Sequence, residues 1–133
     1  MKKSAIPTVR SSLVLLLAGL ALVTYGCGTR DDGKIIATSP KQAASQLDQA
    51  FANSTAEVKQ NASSASDALR QWDYEKAVVS LQAVRDRPGI TLEQGLAIHG
   101  SVVTMEERLI RGMEAGDERA KRAYQLLKQM KRK

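Results

Sequence analysis

An uninterrupted apolar run from Leu13 to Val23 is the feature that most constrains this 133-residue chain. Eleven helical residues rise only about 16 Å, roughly half of a bilayer's hydrocarbon core, which is too short for a membrane span. As a core helix, the run would fill a very small domain with consecutive apolar residues. Lys2, Lys3 and Arg10 precede it. A basic flank followed by a short apolar run is typical of a secretory signal peptide, which we expect over residues 1–26.

The end of this run resembles the lipobox of bacterial lipoproteins. It reads Val23-Thr24-Tyr25-Gly26-Cys27-Gly28. In that family the cysteine thiol receives a diacylglycerol, and signal peptidase II cuts just before it. Gly26 and Cys27 match the pattern, whereas Leu and then Ala or Ser are usual where this chain has Thr24 and Tyr25. The resemblance implies that Cys27 is the lipidated first residue of the mature protein.

Cys27 is the only cysteine of the chain, so an internal disulfide is excluded. An unpaired thiol is reactive in an oxidising compartment, and acylation would consume it. The alternative is an ordinary signal peptide with a cysteine near its cleavage point, which gives a secreted or periplasmic protein. Gly28 stands where Asp retains family members in the inner membrane. The resemblance therefore favours an outer-membrane anchor, with the protein facing the periplasm.

The rest of the chain has the composition of an all-α protein. Gly and Pro are sparse and aromatic residues make up 4%, which disfavours strands. Residues 27–39 are polar and lack periodicity, so we expect a flexible tether. Ser39 and Pro40 then form a helix start, with Ser as N-cap and Pro in the first helical position.

A long or kinked helix is predicted over residues 40–72, where apolar or small residues recur at steps of three and four. This face comprises Ala44, Leu47, Phe51, Ser54, Val58, Asn61, Ala65, Ala68 and Trp72. A break is expected at residues 61–64, Asn-Ala-Ser-Ser, because Asn and Ser side chains compete for backbone hydrogen bonds. The pattern therefore predicts one helix or two in line.

Residues 73–133 predict small antiparallel helical hairpins. Pro88-Gly89 ends one helix, Thr91 and Gln94 form a capping box for the next, and Gly116-Asp117 separates the last two. The expected buried faces comprise Tyr74, Ala77, Val78, Leu81 and Val84; Leu92, Leu96, Ile98, Val102, Val103, Met105, Leu109, Ile110 and Met113; and Ala120, Ala123, Tyr124, Leu127 and Met130.

The segment Trp72-Asp73-Tyr74-Glu75-Lys76-Ala77, with Leu81 and Pro88 downstream, resembles the second helix of a tetratricopeptide repeat. That helix typically opens Gly-Asp-Tyr, has Ala three residues after the Tyr, and ends at a Pro. Trp72 replaces the expected Gly. The resemblance covers about one repeat, and arrays need about three to bury their faces. It implies a tetratricopeptide-like packing style for the hairpins and is not evidence of a peptide-binding groove.

Neither an enzyme nor a metal or cofactor site is predicted. His99 is the only histidine, and no second His, Cys pair or carboxylate cluster accompanies it at metal-ligand spacing. A serine nucleophile would need a positioned base, for which His99 is the sole conventional candidate. We expect His99 to be a partly exposed residue within a helix. The acidic residues predict i, i+4 ion pairs on solvated faces. These pairs are Glu107–Arg111, Asp117–Lys121 and Glu118–Arg122.

Positive charge collects at the C-terminus. Without the three basic signal residues, 17 basic and 14 acidic residues leave a net +3. The terminal cations are Arg119, Lys121, Arg122, Lys128, Lys131, Arg132 and Lys133. They suit a helix dipole; the alternative is contact with anionic lipid or an acidic envelope polymer. Nucleic acid is not expected in the cell envelope, and a single aromatic residue, Tyr124, lies among these cations, too few to stack successive bases.

Two functions from different classes remain open. The first is an adaptor lipoprotein that docks a protein partner in the cell envelope. The second is a structural lipoprotein resembling the major murein lipoprotein, an acylated helix whose C-terminal Lys joins peptidoglycan. That resemblance is carried by the anchor, by the stretch from Ala44 to Trp72, and by Lys131-Arg132-Lys133. The murein family is one uninterrupted helix, whereas this chain contains Pro88-Gly89.

Overall fold

Five α-helices make up residues 37–133, the part of the chain that the computed structural model describes. They are α1 (Pro40–Ala50), α2 (Ala56–Arg70), α3 (Tyr74–Arg85), α4 (Leu92–Glu114) and α5 (Glu118–Arg132). No strand occurs in this range, which confirms the all-α prediction. The predicted signal peptide, Cys27 and all but the last residues of the predicted tether lie outside the described range.

The helix starts follow the capping signals of the sequence. The Ser39 hydroxyl accepts a hydrogen bond in the first turn of α1, and Thr91 with Gln94 forms the expected capping box of α4. Asp73 and Asp117 cap α3 and α5 in the same way. Each such cap satisfies a backbone N–H that has no intrahelical partner, and contributes about 1 kcal/mol.

The helix predicted over residues 40–72 is instead two helices that pack against each other, so the expectation of helices in line was wrong. The break lies at residues 51–55, and residues 61–64 are helical. Gln94 Nε2 donates to the Ala50 carbonyl and to Ser54 Oγ, which satisfies polar groups at this turn. On the packed faces, Ser66 Oγ donates to the Ala44 carbonyl at 3.1 Å. Small residues thus allow the two backbones to approach closely.

The helices close into a ring in which successive neighbours are α1, α2, α3, α5 and α4, with α4 returning to α1. Three-residue turns join α2 to α3 and α4 to α5. Both pairs are antiparallel, as the ion pairs Glu57–Arg87 and Glu106–Lys131 show by linking residues on either side of each turn. The ring encloses the apolar core, whose largest fully buried side chains include Phe51, Leu47, Leu69, Leu81, Met105, Leu109 and Leu127.

Most of the predicted buried residues of α3, α4 and α5 lie in this core. The exceptions on these helices are Leu92, which is 80% exposed, and Leu96, Val103 and Ile110. Trp72, predicted on the buried face of residues 40–72, is 56% exposed. His99 is exposed on α4, as expected. Within the described helices, none has the length and apolar character that crossing a membrane requires.

Candidate functional site

The two interhelical turns lie at the same end of the ring, where a cleft of about 490 Å³ opens between them. We call it the turn cleft. Trp72 and Tyr74 come from the α2–α3 turn and the start of α3, Arg108 from α4, and Arg119 from α5. Leu109 lies beneath it and is fully buried. The cleft therefore presents mainly aromatic and cationic side chains.

Both turns use the same backbone geometry. At the end of α2 the Asp73 N–H donates to Ala68 O at 2.9 Å and the Trp72 N–H to Leu69 O at 3.3 Å. The corresponding bonds at the end of α4 run from the N–H groups of Asp117 and Gly116 to the carbonyls of Gly112 and Met113. Each is a Schellman motif, whose central residue adopts a left-handed conformation and is usually Gly.

Trp72 occupies the glycine position of the first turn. Its φ is 61°, and that of Gly116 in the second turn is 83°. A residue with a Cβ atom costs about 1–2 kcal/mol in this conformation. Strained backbone of this kind clusters at functional sites. The equivalent turn of the same chain contains glycine, so the turn itself does not require tryptophan.

The Trp72 ring is oriented by two neighbours. Its centroid lies 6.3 Å from that of Tyr74, with the two rings inclined at 75°, an edge-to-face contact. The Arg108 guanidinium carbon lies 5.3 Å from the Trp72 ring centroid, within cation–π distance. More than half of the Trp72 surface nevertheless stays exposed. The ring is thus held in place while presenting a large apolar surface to solvent.

The acidic side chains of the turn cleft are already engaged. Asp73 and Asp117 accept backbone N–H bonds at the starts of α3 and α5. Glu75 forms an ion pair with Arg122 across the α3–α5 contact at 3.2 Å. Their carboxylates therefore contribute to helix capping and helix packing.

The arginines of the turn cleft differ in their partners. Arg111 pairs with Glu107 one turn back on α4. Arg108 and Arg119 form no ion pair within the described part of the chain. Arg108 is half-buried against Trp72, and Arg119 is exposed in the first turn of α5. Two guanidinium groups are thus left available at the cleft.

Tyr74 carries an unsatisfied polar atom beneath this surface. Its hydroxyl is buried and has no hydrogen-bond partner among the residues described. Burial raises the pKa of Tyr74, and the positive charge of Arg108 partly offsets that increase. A buried hydroxyl without a partner costs about 1–3 kcal/mol. The turn cleft therefore contains a polar group without a hydrogen-bond partner as well as an exposed apolar ring.

A second concavity, of about 480 Å³, lies along α4 on the side of the α3 and α5 C-termini. Ile98, Val102 and Met130 contribute apolar surface, and His99 lies at its edge. Among residues 37–133, no three His, Cys, Asp or Glu side chains are grouped so as to hold a metal ion. The groove offers apolar surface, with Glu106 paired to Lys131 beside it.

Of the three predicted ion pairs, the structure contains Glu107–Arg111 only. Asp117 caps α5, so it is not available to Lys121, which pairs with Glu118 at 3.7 Å. Arg122 reaches across to α3 instead of pairing with Glu118. Three of the seven C-terminal cations therefore have acidic partners on the domain itself: Lys121, Arg122 and Lys131.

Sequence reasoning placed Trp72 on a buried face and overlooked Arg108. One signal could have indicated the site: a tryptophan precedes an N-cap Asp where the second hairpin has Gly116. Cys27, the single site residue that the sequence predicted, lies outside the described residues. None of the protein families, curated proteins or solved structures compared with this chain matches it.

Proposed function

We propose that this chain is a lipoprotein of the bacterial cell envelope, anchored through Cys27, whose helical domain docks a partner protein at the turn cleft. The observation that carries the docking role is Trp72, an exposed aromatic residue in a left-handed backbone position that the equivalent turn gives to Gly116. Such an arrangement supports a role in recognition, because nothing in the turn geometry requires it.

The residue types of the turn cleft support a protein partner. Residues that dominate the binding free energy of protein interfaces are enriched in Trp, Tyr and Arg. Trp72, Tyr74 and Arg108 meet here in one contact cluster. Their mutual contacts restrain the side chains before binding, which lowers the entropy cost of association.

The anchoring role is supported by the sequence, through the short apolar run and the lipobox-like ending at Cys27. In the domain, the Ala37 carbonyl accepts a hydrogen bond from Thr104 Oγ1 at 2.8 Å, and both residues are buried. The chain therefore enters the domain at a fixed point on α4. We propose that residues 27–36 connect this point to the lipid.

The alternative of a murein-type structural lipoprotein has less support. That family forms a single helix, whereas residues 37–133 fold into a ring of five. The finer resemblance to tetratricopeptide hairpins also stays a proposal. It is supported by the antiparallel α2–α3 pair, whereas α1 packs against both α2 and α4.

Intact-mass spectrometry of protein purified from native membranes tests the anchor. We expect a mature chain that begins at Cys27 and carries acyl mass, and loss of that mass in the Cys27→Ser variant. A chain without acyl groups, or one that keeps residues 1–26, would overturn the lipoprotein part. Material that stays bound to sacculi boiled in detergent would favour the murein-type alternative.

A further inference from the structure

We infer that the turn cleft binds an acidic segment of its partner, with carboxylates on Arg108 and Arg119 and an apolar side chain on Trp72. This inference rests on the proposed docking function and adds the chemistry of the bound segment. It depends on three observations: two cations without ion pairs, acids that are already engaged, and an exposed tryptophan in contact with Arg108.

The two guanidinium groups favour a negatively charged ligand. Arg108 and Arg119 line the same cleft from different helices and form no ion pair within residues 37–133. A guanidinium presents a planar fork of N–H donors that matches the two oxygens of a carboxylate. Arg108 is also half-buried, so an ion pair there is screened less by solvent than one on an open surface.

The acidic side chains of the cleft do not form ion pairs with Arg108 or Arg119 in place of such a ligand. Asp73 and Asp117 are engaged by backbone N–H groups, and Glu75 by Arg122. A phosphate ester would concentrate a charge of about −1.5 to −2 at one point beside three acids, whereas two carboxylates divide their charge between two separate arginines.

The apolar part of the ligand is set by Trp72. Its ring is 56% exposed, next to Arg108, with Leu109 contributing to the floor of the cleft. Successive side chains of an extended peptide point to opposite sides. Side chains two positions apart point to the same side, so an acidic residue two positions from an apolar one can place a carboxylate on Arg108 and an apolar group on Trp72. The cleft volume of about 490 Å³ falls within the range of about 300–1,000 Å³ that is usual for ligand sites.

The test uses the full chain in detergent micelles and two pools of fluorescein-labelled hexapeptides. One pool combines Asp or Glu with Leu or Phe in every order, and the other replaces each acid with Asn or Gln. We expect fluorescence anisotropy to show at least about tenfold tighter binding of the acidic pool, because the amides cannot form charge-assisted hydrogen bonds of the same strength with the arginines. Emission from Trp72, the only tryptophan, should change on binding.

Matched variants locate the effect. Arg108→Gln and Arg119→Gln should each remove most of the preference for the acidic pool. Lys59→Gln removes a charge near the opposite end of α2 and should leave that preference unchanged. Trp72→Gly should weaken binding of both pools, with helical circular dichroism retained as the check on folding.

Equal binding of the two pools, or an unchanged preference in both arginine variants, would overturn the inference and leave the docking function standing. Tighter binding of inorganic phosphate or of phosphatidylglycerol vesicles, lost in Arg108→Gln, would assign the site to a different anion and also overturn it. Absence of binding to either pool at 1 mM peptide, on the order of the weakest specific affinities, would contradict peptide docking at this cleft altogether.

Discussion

The strain assigned to Trp72 predicts an inverted order of stability for two substitutions at this position. In most helix or strand positions Gly is less stable than Ala by about 0.5–1 kcal/mol. At φ 61° the order should reverse, because Ala keeps the cost of the left-handed conformation and Gly does not. We therefore expect Trp72→Gly to be more stable than Trp72→Ala by about 1 kcal/mol.

Both variants lose the same packing, and its size follows from exposure. A fully buried tryptophan removes about 150–250 Å² from water. Because Trp72 is 56% exposed, about 65–110 Å² is buried, which contributes about 2 kcal/mol at about 25 cal/mol per Å². Trp72→Ala should thus cost about 2 kcal/mol and Trp72→Gly about 1 kcal/mol. Both values are below the 3–5 kcal/mol, roughly, of a core Trp→Ala change.

Two glycines of α4 and its C-terminal turn provide the matched controls. A Cβ atom at Gly116 or at Gly95 would meet nothing within 4 Å, but only Gly116 has a positive φ. Gly116→Ala should therefore cost about 1 kcal/mol, and Gly95→Ala should stabilise α4 by about 0.5–1 kcal/mol. Urea unfolding of the full chain in micelles, followed by circular dichroism, measures all four. A Trp72→Gly variant no more stable than Trp72→Ala would refute the strain, and with it the main reason for assigning Trp72 to recognition.

Three further substitutions test the packing and the cleft. Gly112→Ala places a Cβ 2.7 Å from that of Ala120 and should cost about 1–3 kcal/mol in the same unfolding assay; an unchanged midpoint would contradict the close α4–α5 approach. Ser66→Ala removes the buried bond between α1 and α2 and should cost about 1 kcal/mol, whereas a neutral result would show that this bond is not stabilising. Burial raises the pKa of Tyr74 in the folded protein. The protonated Tyr74 therefore contributes its full share to the free energy of unfolding below the unfolded-state pKa of about 10, and this share is lost as the pH rises through the folded-state pKa. Tyr74→Phe should therefore flatten the loss of stability above about pH 10 relative to Tyr124→Phe, and equal alkaline profiles would be the contrary outcome.

The sequence predicted those features of the fold that depend on neighbouring residues. Ser39, Thr91 and Asp117 cap helices because their side chains reach N–H groups two or three residues away, and such signals are readable locally. The break between α1 and α2 was misplaced because no Gly or Pro marks residues 51–55, and Gln94, which bonds Ala50 and Ser54 there, is 44 and 40 residues distant. No periodicity of the 40–72 segment contains that information.

The candidate site was harder to predict for the same reason. Helical spacing places Trp72 on the face of α2, but the left-handed turn redirects its side chain away from the core and towards Arg108. Which cations remain without ion pairs also depends on long-range packing, since Arg122 reaches Glu75 47 residues away. The chemistry of the cleft is therefore a property of the ring, and local sequence patterns do not specify it.

Site-specific photo-crosslinking in intact envelopes tests most directly the claim that this is a membrane-tethered docking module. A crosslinking amino acid replaces Gln71, which lines the turn cleft, or Val79, which is 59% exposed on α3 and does not line it. We predict one discrete protein adduct at the Gln71 position, lost in Arg108→Gln and in Cys27→Ser, and none at the Val79 position. Identical adducts at both positions, or an adduct unaffected by both variants, would contradict the account.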